Sequence, residues 1–280
     1  MSAVLLNGKE MEQELLVTQI ERCKQLKEKG IVPTLAVIMV GEDPASAIYV
    51  RNKSRMCDNI GIAQQTIQMP DSISQEELEA QIDALNADDT VTGILVQLPL
   101  PKHLDENRAL ARVLAEKDVD GFHVVNTGHM MRGEKSALPC TARGIIYMLK
   151  KAGVTLEGKH AVVIGRSNIV GKPVAMLLLQ ENCTVTICHS RTQNLAEITR
   201  QADILVAAVG KAHFVTADMV KPGAAVIDVG VNRVDGKVTG DVDFDNVAPI
   251  AGWISPVPGG VGRMTVSMLM ENTLEAACRA

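Results

Sequence analysis

The chain has 280 residues, which is long enough for two modest domains or one large one. Its hydrophobic content of 46% and charged content of 22% are typical of a globular protein, and a net charge near −5 argues against a general nucleic-acid binder, which needs a basic face. The first residues lack a basic segment followed by a long apolar stretch, so we expect neither a signal peptide nor an association with membranes.

The six cysteines are scattered along the chain, with no Cys-x-x-Cys pair and no Cys/His cluster at the spacing of a zinc site. We therefore expect no metal site. Reduced thiols are also expected, as in a cytoplasmic protein.

Apolar, β-branched runs alternate with helical patterns in the first half of the chain. An amphipathic helix over residues 9–29 ends at Gly30 and leads to a buried strand over residues 34–40. The pattern then predicts a helix over 46–60, a strand over 62–69, a helix beginning at Ser74, a strand over 93–98 and a helix capped by Asp105.

The same alternation restarts after about residue 137. It predicts helices over 141–152 (capped by Thr141), 173–180, 196–200 and 262–279, and strands over 160–164, 184–188, 204–208 and 224–229. Two such alternations imply two α/β units with parallel sheets, joined by a linker near residues 121–135. No strand follows the final helix, so that helix fits against either unit.

A glycine-rich turn, Gly165-Arg-Ser-Asn-Ile-Val-Gly171, follows one predicted strand and precedes a helix. Glycine lets the backbone approach a ligand closely, and the start of a helix favours phosphate groups. The spacing differs from G-x-G-x-x-G, so a strand–helix turn without a ligand stays an alternative.

The following strand bears on the choice between NAD and NADP. It ends in His189-Ser190-Arg191, where an NAD site usually has an acid that binds the ribose 2′-hydroxyl. Arg191 and Arg166 are candidates to bind a 2′-phosphate, although two solvated surface arginines would give the same pattern. The missing acid favours NADP.

Tyr49 and Lys53 are four residues apart on a predicted helix, so their side chains share one face. A phenol beside an amine offers a proton donor and a base whose pKa falls when it is desolvated. The same spacing fits a surface tyrosine and a solvated lysine, and short-chain dehydrogenases also use Tyr-x-x-x-Lys. In those enzymes the glycine-rich turn precedes the pair, whereas here the pair comes first, which argues against that class.

Three other features suggest a ligand. Gln97 lies at the carboxyl end of a predicted parallel strand, where α/β proteins bind ligands. Asp120, close to the predicted linker, can accept hydrogen bonds from an amino-pyrimidine, although an Asp before Gly121 also suits a turn. A second glycine-rich loop over residues 256–262 opens the last helix, where it either contacts a flat ligand or only caps the helix.

Together these segments resemble the bifunctional methylenetetrahydrofolate dehydrogenase/methenyltetrahydrofolate cyclohydrolase family. Five segments match its signatures in the correct order: Ser46-Ala-Ile-Tyr-Val-Arg-Asn-Lys53, Val96-Gln-Leu-Pro-Leu-Pro101, Lys117-Asp-Val-Asp-Gly121, Gly165-Arg-Ser-Asn-Ile-Val-Gly-Lys-Pro173 and Pro256-Val-Pro-Gly-Gly-Val-Gly262. The resemblance spans nearly the full chain.

The resemblance implies an N-terminal α/β catalytic domain formed by residues 1–121 and 263–280, a C-terminal Rossmann-type NADP-binding domain formed by residues 122–262, and a cleft between them. It implies oxidation of 5,10-methylenetetrahydrofolate by NADP and hydrolysis of the methenyl product to 10-formyltetrahydrofolate. It also implies a cytoplasmic homodimer in one-carbon metabolism that serves purine biosynthesis.

The site residues implied by the resemblance fall into two groups. Lys53 would be the key cyclohydrolase residue, with Gln97 tuning its protonation, Tyr49 positioning the folate and Asp120 holding the pterin. Pro258, Gly259 and Gly260 would line the folate site, whereas Gly165, Arg166, Ser167, Ser190 and Val231 would bind NADP, with Arg191 as an addition.

The sequence departs from the family pattern at three places. Arg263 replaces a usual proline, Ala142 replaces another, and the stretch after Gly121 reads Phe122-His-Val-Val-Asn126 instead of His-Pro-x-Asn. Two other functions therefore stay open: a dehydrogenase with little cyclohydrolase activity, and a folate- and nucleotide-binding protein without turnover.

Overall fold

The computed structural model describes residues 3–279, without the side chains of residues 44–46. Residues 1, 2 and 280, which the predicted N-terminal domain includes, lie outside this range. The chain divides into two compact units, formed by Glu14–Cys140 with Val266–Ala280 and by Met1–Gln13 with Thr141–Thr265. We call them the three-stranded and the six-stranded unit, after their main sheets.

The helices are α1 (Gly8–Glu28), α2 (Pro44–Ile60), α3 (Gln75–Ala87), α4 (Glu106–Arg112), α5 (Val124–Arg132), α6 (Cys140–Lys151), α7 (Gly171–Gln180), α8 (Leu195–Thr199), α9 (Phe244–Val247) and α10 (Val261–Ala277). The strands are β1 (Val4–Leu5), β2 (Thr34–Val40), β3 (Ala63–Met69), β4 (Gly93–Val96), β5 (His160–Ile164), β6 (Thr184–Cys188), β7 (Ile204–Ala207), β8 (Ala225–Asp228), β9 (Asn232–Val234), β10 (Lys237–Thr239) and β11 (Trp253–Ile254).

In the three-stranded unit, parallel strands lie in the order β3-β2-β4. The central strand β2 is buried along nearly its whole length, as its apolar sequence predicts. Its Ile38 packs in one cluster with Ile94 of β4 and with Leu78 and Ile82 of α3. Helix α3 begins after Ser74, as predicted, and its start forms a capping box in which the Ser74 hydroxyl and the Glu77 carboxylate each accept a backbone N–H of the other residue.

The six-stranded unit contains a parallel sheet in the order β1-β11-β8-β7-β5-β6. Its core joins residues from four neighbouring strands, among them Val162, Leu205, Val226 and Ile254. The chain passes from β5 to β6 on one side and then returns to β7 on the other side of β5. The carboxyl ends of β5 and β7 therefore mark the topological switch point, where open α/β sheets bind ligands.

These two units and their parallel sheets confirm the predicted fold class. The strands predicted over residues 34–40, 160–164 and 184–188 have those bounds in the structure. The predicted domain boundaries at residues 121 and 263 stay a prediction, because the compact units describe how the backbone is packed and not which ligand each domain binds.

Two local predictions were wrong. The region expected as a linker contains α5, which the His123 side chain caps and whose Asn126 and Met130 are buried. Thr141 does not cap α6, because the helix already begins at Cys140 and the Thr141 hydroxyl lies 3.1 Å from that of Thr265.

The last helix, α10, has no strand after it, and its final part packs within the three-stranded unit. Asn272, which is fully buried, donates hydrogen bonds of 2.8 Å to the carbonyl oxygens of Val119 and Leu138. Cys57 and Met270 bring their sulfur atoms within 3.5 Å of each other.

Across residues 3–279, no helix is both long and apolar enough to cross a membrane. That part of the chain also has no cluster of three or more His, Cys, Asp or Glu side chains that could hold a metal ion. All six cysteines are free thiols, and five of them are buried.

Candidate functional site

Helix α2 carries the predicted pair Tyr49 and Lys53, one turn apart. Lys53 is 9% exposed, whereas Tyr49 is 39% exposed. Helix α2 therefore buries the Lys53 amine, whereas the Tyr49 phenol, one turn earlier, is exposed to solvent. A buried amine beside an accessible aromatic ring suits a site that a flat ligand enters from outside.

Gln97 directly follows β4 and accepts a hydrogen bond of 2.9 Å from the Lys53 ammonium group through its Oε1 atom. The other half of the amide, Nε2, donates to the carbonyl oxygen of Leu98 at 2.6 Å. The backbone N–H of Gln97 donates to Ile38 on the central strand at 2.9 Å. The strand end thus fixes the residue, and the Leu98 carbonyl orients the amide oxygen toward Lys53.

The segment between α4 and α5 contains two acids, Asp118 and Asp120, with different roles. The Asp118 carboxylate is buried and accepts from the backbone N–H groups of Gly121 at 3.0 Å and His123 at 2.8 Å, and from the Asn126 amide at 2.9 Å. Asp118 therefore stabilises the turn. The carboxylate of Asp120 therefore stays available for other partners. The turn-stabilising role that the sequence allowed for Asp120 is filled by Asp118.

Electrostatics links Asp120 with Lys53. Burial lowers the pKa of Lys53, and Asp120 together with the thiols of Cys140 and Cys57 partly opposes that effect. Burial raises the pKa of Asp120 to about 6; Lys53 acts against this increase and Asp118 adds to it. The two groups thus have pKa values shifted toward neutrality from opposite sides, which is the pattern of acid–base sites.

Cys140 and Asn272 complete the surroundings of this site, and the sequence reasoning did not assign either a supporting role. Cys140 is 1% exposed, and the carbonyl oxygen of Val119, at 3.4 Å from its sulfur, and the Asp120 carboxylate are both acceptors for its single S–H group. The Asn272 amide lies 3.4 Å from the Cys140 sulfur. The position of Cys140 at the start of a predicted helix could have indicated its role. No sequence pattern indicates the role of Asn272, because its partners are distant in sequence.

The glycine-rich turn of the six-stranded unit lies at the switch point. Gly165 has φ +130°, and a Cβ there would overlap the carbonyl oxygen of Ala208, which follows β7. The Ser167 hydroxyl accepts from the backbone N–H groups of Val170 at 3.1 Å and Gly171 at 3.3 Å, which closes the turn at the start of α7. The backbone here leaves room only for glycine, as a close approach to phosphate requires.

The other predicted cofactor residues belong to the same unit. Arg166, Ser190, Arg191 and Val231 are all exposed. Within the described part of the chain, neither the Arg166 nor the Arg191 guanidinium forms an ion pair with a carboxylate. Two unpaired guanidinium groups beside a glycine turn fit the phosphate groups of NADP.

The second glycine-rich loop is also in the six-stranded unit. Gly259 has φ +109°, Pro258 is exposed and Gly260 is buried, and Gly8 lies so close that a Cβ on it would overlap the Gly260 carbonyl oxygen. The predicted folate residues therefore come from both units: Tyr49, Gln97 and Asp120 from one, and residues 258–260 from the other.

The structure joins Lys53 to Gln97 by a hydrogen bond and places Asp120 near enough to change the pKa of Lys53. A lysine with a lowered pKa can accept a proton near neutral pH, and the amide of Gln97 holds it in place without adding charge. The roles assigned to the individual residues stay predictions.

Both halves of the chain match models of known protein families. Residues 6–120 match the family model described as tetrahydrofolate dehydrogenase/cyclohydrolase, catalytic domain, and residues 139–280 match the model of the NAD(P)-binding domain of the same enzymes. The chain belongs to the tetrahydrofolate dehydrogenase/cyclohydrolase family.

Members of this family are similar to the chain over its whole length. The bifunctional protein FolD of Bacillus cereus strain AH187 is 56% identical over 281 residues, which cover 100% of this chain and 98% of that protein. The crystal structure of the Campylobacter jejuni bifunctional enzyme FolD has a TM-score of 0.98 at 46% identity and covers 99% of both chains. The Trypanosoma brucei enzyme, solved with NADP and an inhibitor, has a TM-score of 0.95 at 39% identity and covers 100% of this chain and 98% of that one.

The structure shows where the three departures from the family pattern lie. Arg263, in the first turn of α10, donates to the Glu12 carboxylate at 3.0 Å, so its charge has a partner in the same unit. Ala142 is fully buried in α6. His123 accepts a hydrogen bond from the Val125 backbone N–H at 3.2 Å and so begins α5. None of the three changes removes a side chain from the group around Lys53.

Proposed function

We propose that this chain catalyses two consecutive reactions: the NADP-dependent oxidation of 5,10-methylenetetrahydrofolate to the 5,10-methenyl cation, and the hydrolysis of that cation to 10-formyltetrahydrofolate. The observation that carries the proposal is the hydrogen bond between the buried Lys53 and Gln97 in the catalytic domain of the family. A chain that only bound folate and nucleotide would have no need of a buried lysine with a lowered pKa.

The residues present fit NADP. The turn at Gly165 has no space for a Cβ, and the Arg166 and Arg191 guanidinium groups carry positive charge in the same unit. Gly165, Ser167 and the start of α7 would hold the pyrophosphate, with Ser190 and Val231 as further contacts. The chemistry that bound NADP supplies is the acceptance of hydride.

The protein's part in the oxidation is to bind and orient the substrate. Tyr49 would lie against the folate, Asp120 would hold its pterin, and Pro258, Gly259 and Gly260 would line the site. Above a pH of about 6, Asp120 is charged and can accept hydrogen bonds from the amino-pyrimidine. Correct orientation accounts for much of the acceleration of such a transfer.

Hydrolysis requires a base that tolerates a cationic substrate. Water adds to the methenyl carbon and loses a proton, which the neutral amine of Lys53 accepts. The bond between that carbon and N5 then breaks, N5 gains a proton, and the hydroxyl oxygen loses one to become the formyl oxygen. A neutral Lys53 avoids repulsion of the cation, and Gln97 keeps its lone pair oriented.

A single spectroscopic assay tests the two activities. Methylenetetrahydrofolate and NADP are supplied, and the formation and decay of the methenyl cation are followed. We expect formation followed by decay faster than in buffer. Formation without accelerated decay would leave only the dehydrogenase, and absence of both reactions would contradict enzymatic function.

The variant Lys53→Met tests the assigned base. We expect cyclohydrolase activity to fall by at least roughly a hundredfold, the usual contribution of a positioned acid or base. Lys29→Met, which changes an exposed lysine of the same unit, is the matched control and should behave like the unmodified enzyme. Unmodified cyclohydrolase rates in the Lys53 variant would refute its role.

The cofactor preference rests on Arg191. We propose that its guanidinium binds the 2′-phosphate, so Arg191→Ala should weaken NADP much more than NAD. Kinetic constants for both cofactors, with Arg233→Ala as a control at another exposed arginine, would measure the change. A preference for NAD in the unmodified enzyme would overturn this assignment.

We also propose that the chain acts in the cytoplasm as a homodimer and supplies one-carbon units to purine biosynthesis. Five buried free cysteines suit a reducing compartment. Strand β6 is the edge strand at one side of the six-stranded sheet, and Ile187 and Leu179 are exposed near it. We propose that a two-fold axis pairs this strand with β6 of a second protomer. Sedimentation of the purified protein tests the dimer, and a monomer at micromolar concentration would contradict it.

A further inference from the structure

Two buried acids, Asp228 and Asp241, lie side by side in the six-stranded unit, and none of the proposed steps uses them. Asp228 is the last residue of β8 and is 2% exposed, whereas Asp241 follows β10 and is fully buried. Within residues 3–279, neither carboxylate is paired with a lysine or arginine. Buried carboxylates without a cation are costly, so their hydrogen-bond partners indicate what they do.

The Asp241 carboxylate binds the turn that follows β7. Its Oδ2 atom accepts from the backbone N–H groups of Val209 at 2.7 Å and Gly210 at 2.9 Å, and its Oδ1 atom accepts from that of Lys211 at 2.8 Å. The Asn232 amide donates to the same Oδ1 atom at 2.9 Å. Three consecutive amides directed at one carboxylate fix the conformation of this turn.

Asp228 in turn holds the backbone of Asp241. Its Oδ1 atom accepts from the N–H groups of Asp241 at 2.8 Å and Gly230 at 3.0 Å, and its Oδ2 atom accepts from that of Val242 at 2.9 Å. A Cβ on Gly240 would overlap the Asp228 carboxylate. The sequence therefore has glycine where the two acids approach the backbone most closely.

This network lies at the carboxyl ends of the strands, where the glycine-rich turn at Gly165 is also found. The turn over residues 209–211 directly follows Ala208, whose carbonyl oxygen is the atom that a Cβ on Gly165 would meet. Val231 directly follows Gly230, one of the residues that Asp228 holds. Asp228 and Asp241 thus connect the loops that follow β7 and β8, at the same end of the sheet as Gly165.

We propose that Asp241 is a positioning residue for NADP: it holds the turn over residues 209–211 in the conformation that admits the cofactor beside Gly165, and Asp228 supports it from behind. The proposal rests on the NADP-dependent function proposed above. It concerns cofactor binding alone, because every contact of the two acids lies within the six-stranded unit, whereas Lys53 and Gln97 belong to the other.

The variant Asp241→Asn tests the proposal, because an amide can accept only at its single oxygen and must lose part of the set of four hydrogen bonds. We expect the dissociation constant for NADP, measured by titration calorimetry, to rise roughly tenfold or more, as the loss of one hydrogen bond to a charged group implies. Hydrolysis of supplied methenyltetrahydrofolate without NADP should stay within about twofold of the unmodified rate.

Asp235→Asn is the matched control. Asp235 is exposed in the turn between β9 and β10 and has φ +49°, a conformation that asparagine tolerates. The Asp235→Asn variant loses the same negative charge as Asp241→Asn from the same segment of the chain. Its affinity for NADP should be unaltered. Unchanged NADP affinity in Asp241→Asn would overturn the positioning role, whereas an unmodified enzyme that does not bind NADP would overturn the proposed function itself.

A second variant covers the case in which Asp241→Asn does not fold, which the loss of cyclohydrolase activity would reveal. Asn232→Ala removes one of the four donors to Asp241 and leaves its charge in place. We expect NADP to bind about two- to fivefold more weakly, with unchanged cyclohydrolase activity. Equal affinity in this variant would then contradict the proposal.

Discussion

The variant Gln97→Glu places a carboxylate where the Lys53 ammonium group now meets a neutral amide oxygen at 2.9 Å. Lys53 is buried, and its pKa is lowered mainly by removal from water. An added negative charge acts in the opposite direction and favours the protonated amine. The variant should therefore keep Lys53 charged at neutral pH, whereas the proposed hydrolysis requires the neutral amine.

The size of this effect follows from the short distance between the two groups. Coulomb's law with an effective dielectric constant of about 20 gives roughly 6 kcal/mol at this separation. The cost of burying the new carboxylate, whose second oxygen would face the Leu98 carbonyl, offsets part of that energy. We expect the pH at which cyclohydrolase activity develops to move upward by about one to three units, the usual effect of an adjacent opposite charge.

The assay supplies methenyltetrahydrofolate without NADP and measures its enzyme-dependent loss across neutral and alkaline pH, after subtraction of the spontaneous reaction. Activity of the variant should be low near neutral pH and recover as the pH rises. Gln13→Glu makes the same change at an exposed position and serves as the control. A uniform loss of rate with an unchanged pH profile would show that Gln97 does not act through the charge state of Lys53.

Three further changes have defined outcomes. Gly165→Ala should weaken NADP binding by at least tenfold in calorimetry and leave cyclohydrolase activity intact, because the new Cβ meets the Ala208 carbonyl oxygen. Asn272→Ala should lower the free energy of unfolding in urea by about 2–4 kcal/mol, because two buried carbonyl oxygens lose their donor. Lys53→Met should raise the pKa of Asp120 above about 6 in carbon-13 NMR, since the lysine charge now lowers it; a lower value would contradict the coupling.

The sequence predicts those parts of the fold that depend on local patterns. The buried strands were found because apolar, β-branched runs are visible in the sequence, and Ser74 and Asp105 mark the starts of their helices. Strands β1 and β11 were missed because each has only two residues, and they pair with each other across almost the whole chain. Helix α5 was missed because its cap is a histidine, which is an unusual residue at that position.

The candidate site was predictable in its members but not in its organisation. The spacing of Tyr49 and Lys53 placed both on one helix, but no sequence pattern could show that Gln97 accepts a hydrogen bond from the lysine. Both acids in the segment Lys117–Gly121 could occupy the turn, and only the backbone contacts of Asp118 separate them. Asp241 gave no signal, since its partners follow a different strand.

In the proposed function, the pair formed by Lys53 and Asp120 lets one site act on a neutral and then on a cationic substrate. A positive charge on the bound methenyl group disfavours the protonated form of Lys53 and favours the charged form of Asp120. The cation thus promotes the state in which the amine can accept a proton from water. Methylenetetrahydrofolate lacks that charge and exerts no such effect.

The competition between the cation and the proton on Lys53 has a measurable consequence. The KM for the methenyl cation should fall as the pH rises through the pKa of Lys53, whereas the KM for methylenetetrahydrofolate should change little over the same range. The second substrate is the internal control, because it carries the same pterin and the same acidic tail. If both constants varied with pH in parallel, Lys53 would not be the group that senses the substrate charge; if Lys53→Met abolished the difference, the lysine and no other nearby group would account for it.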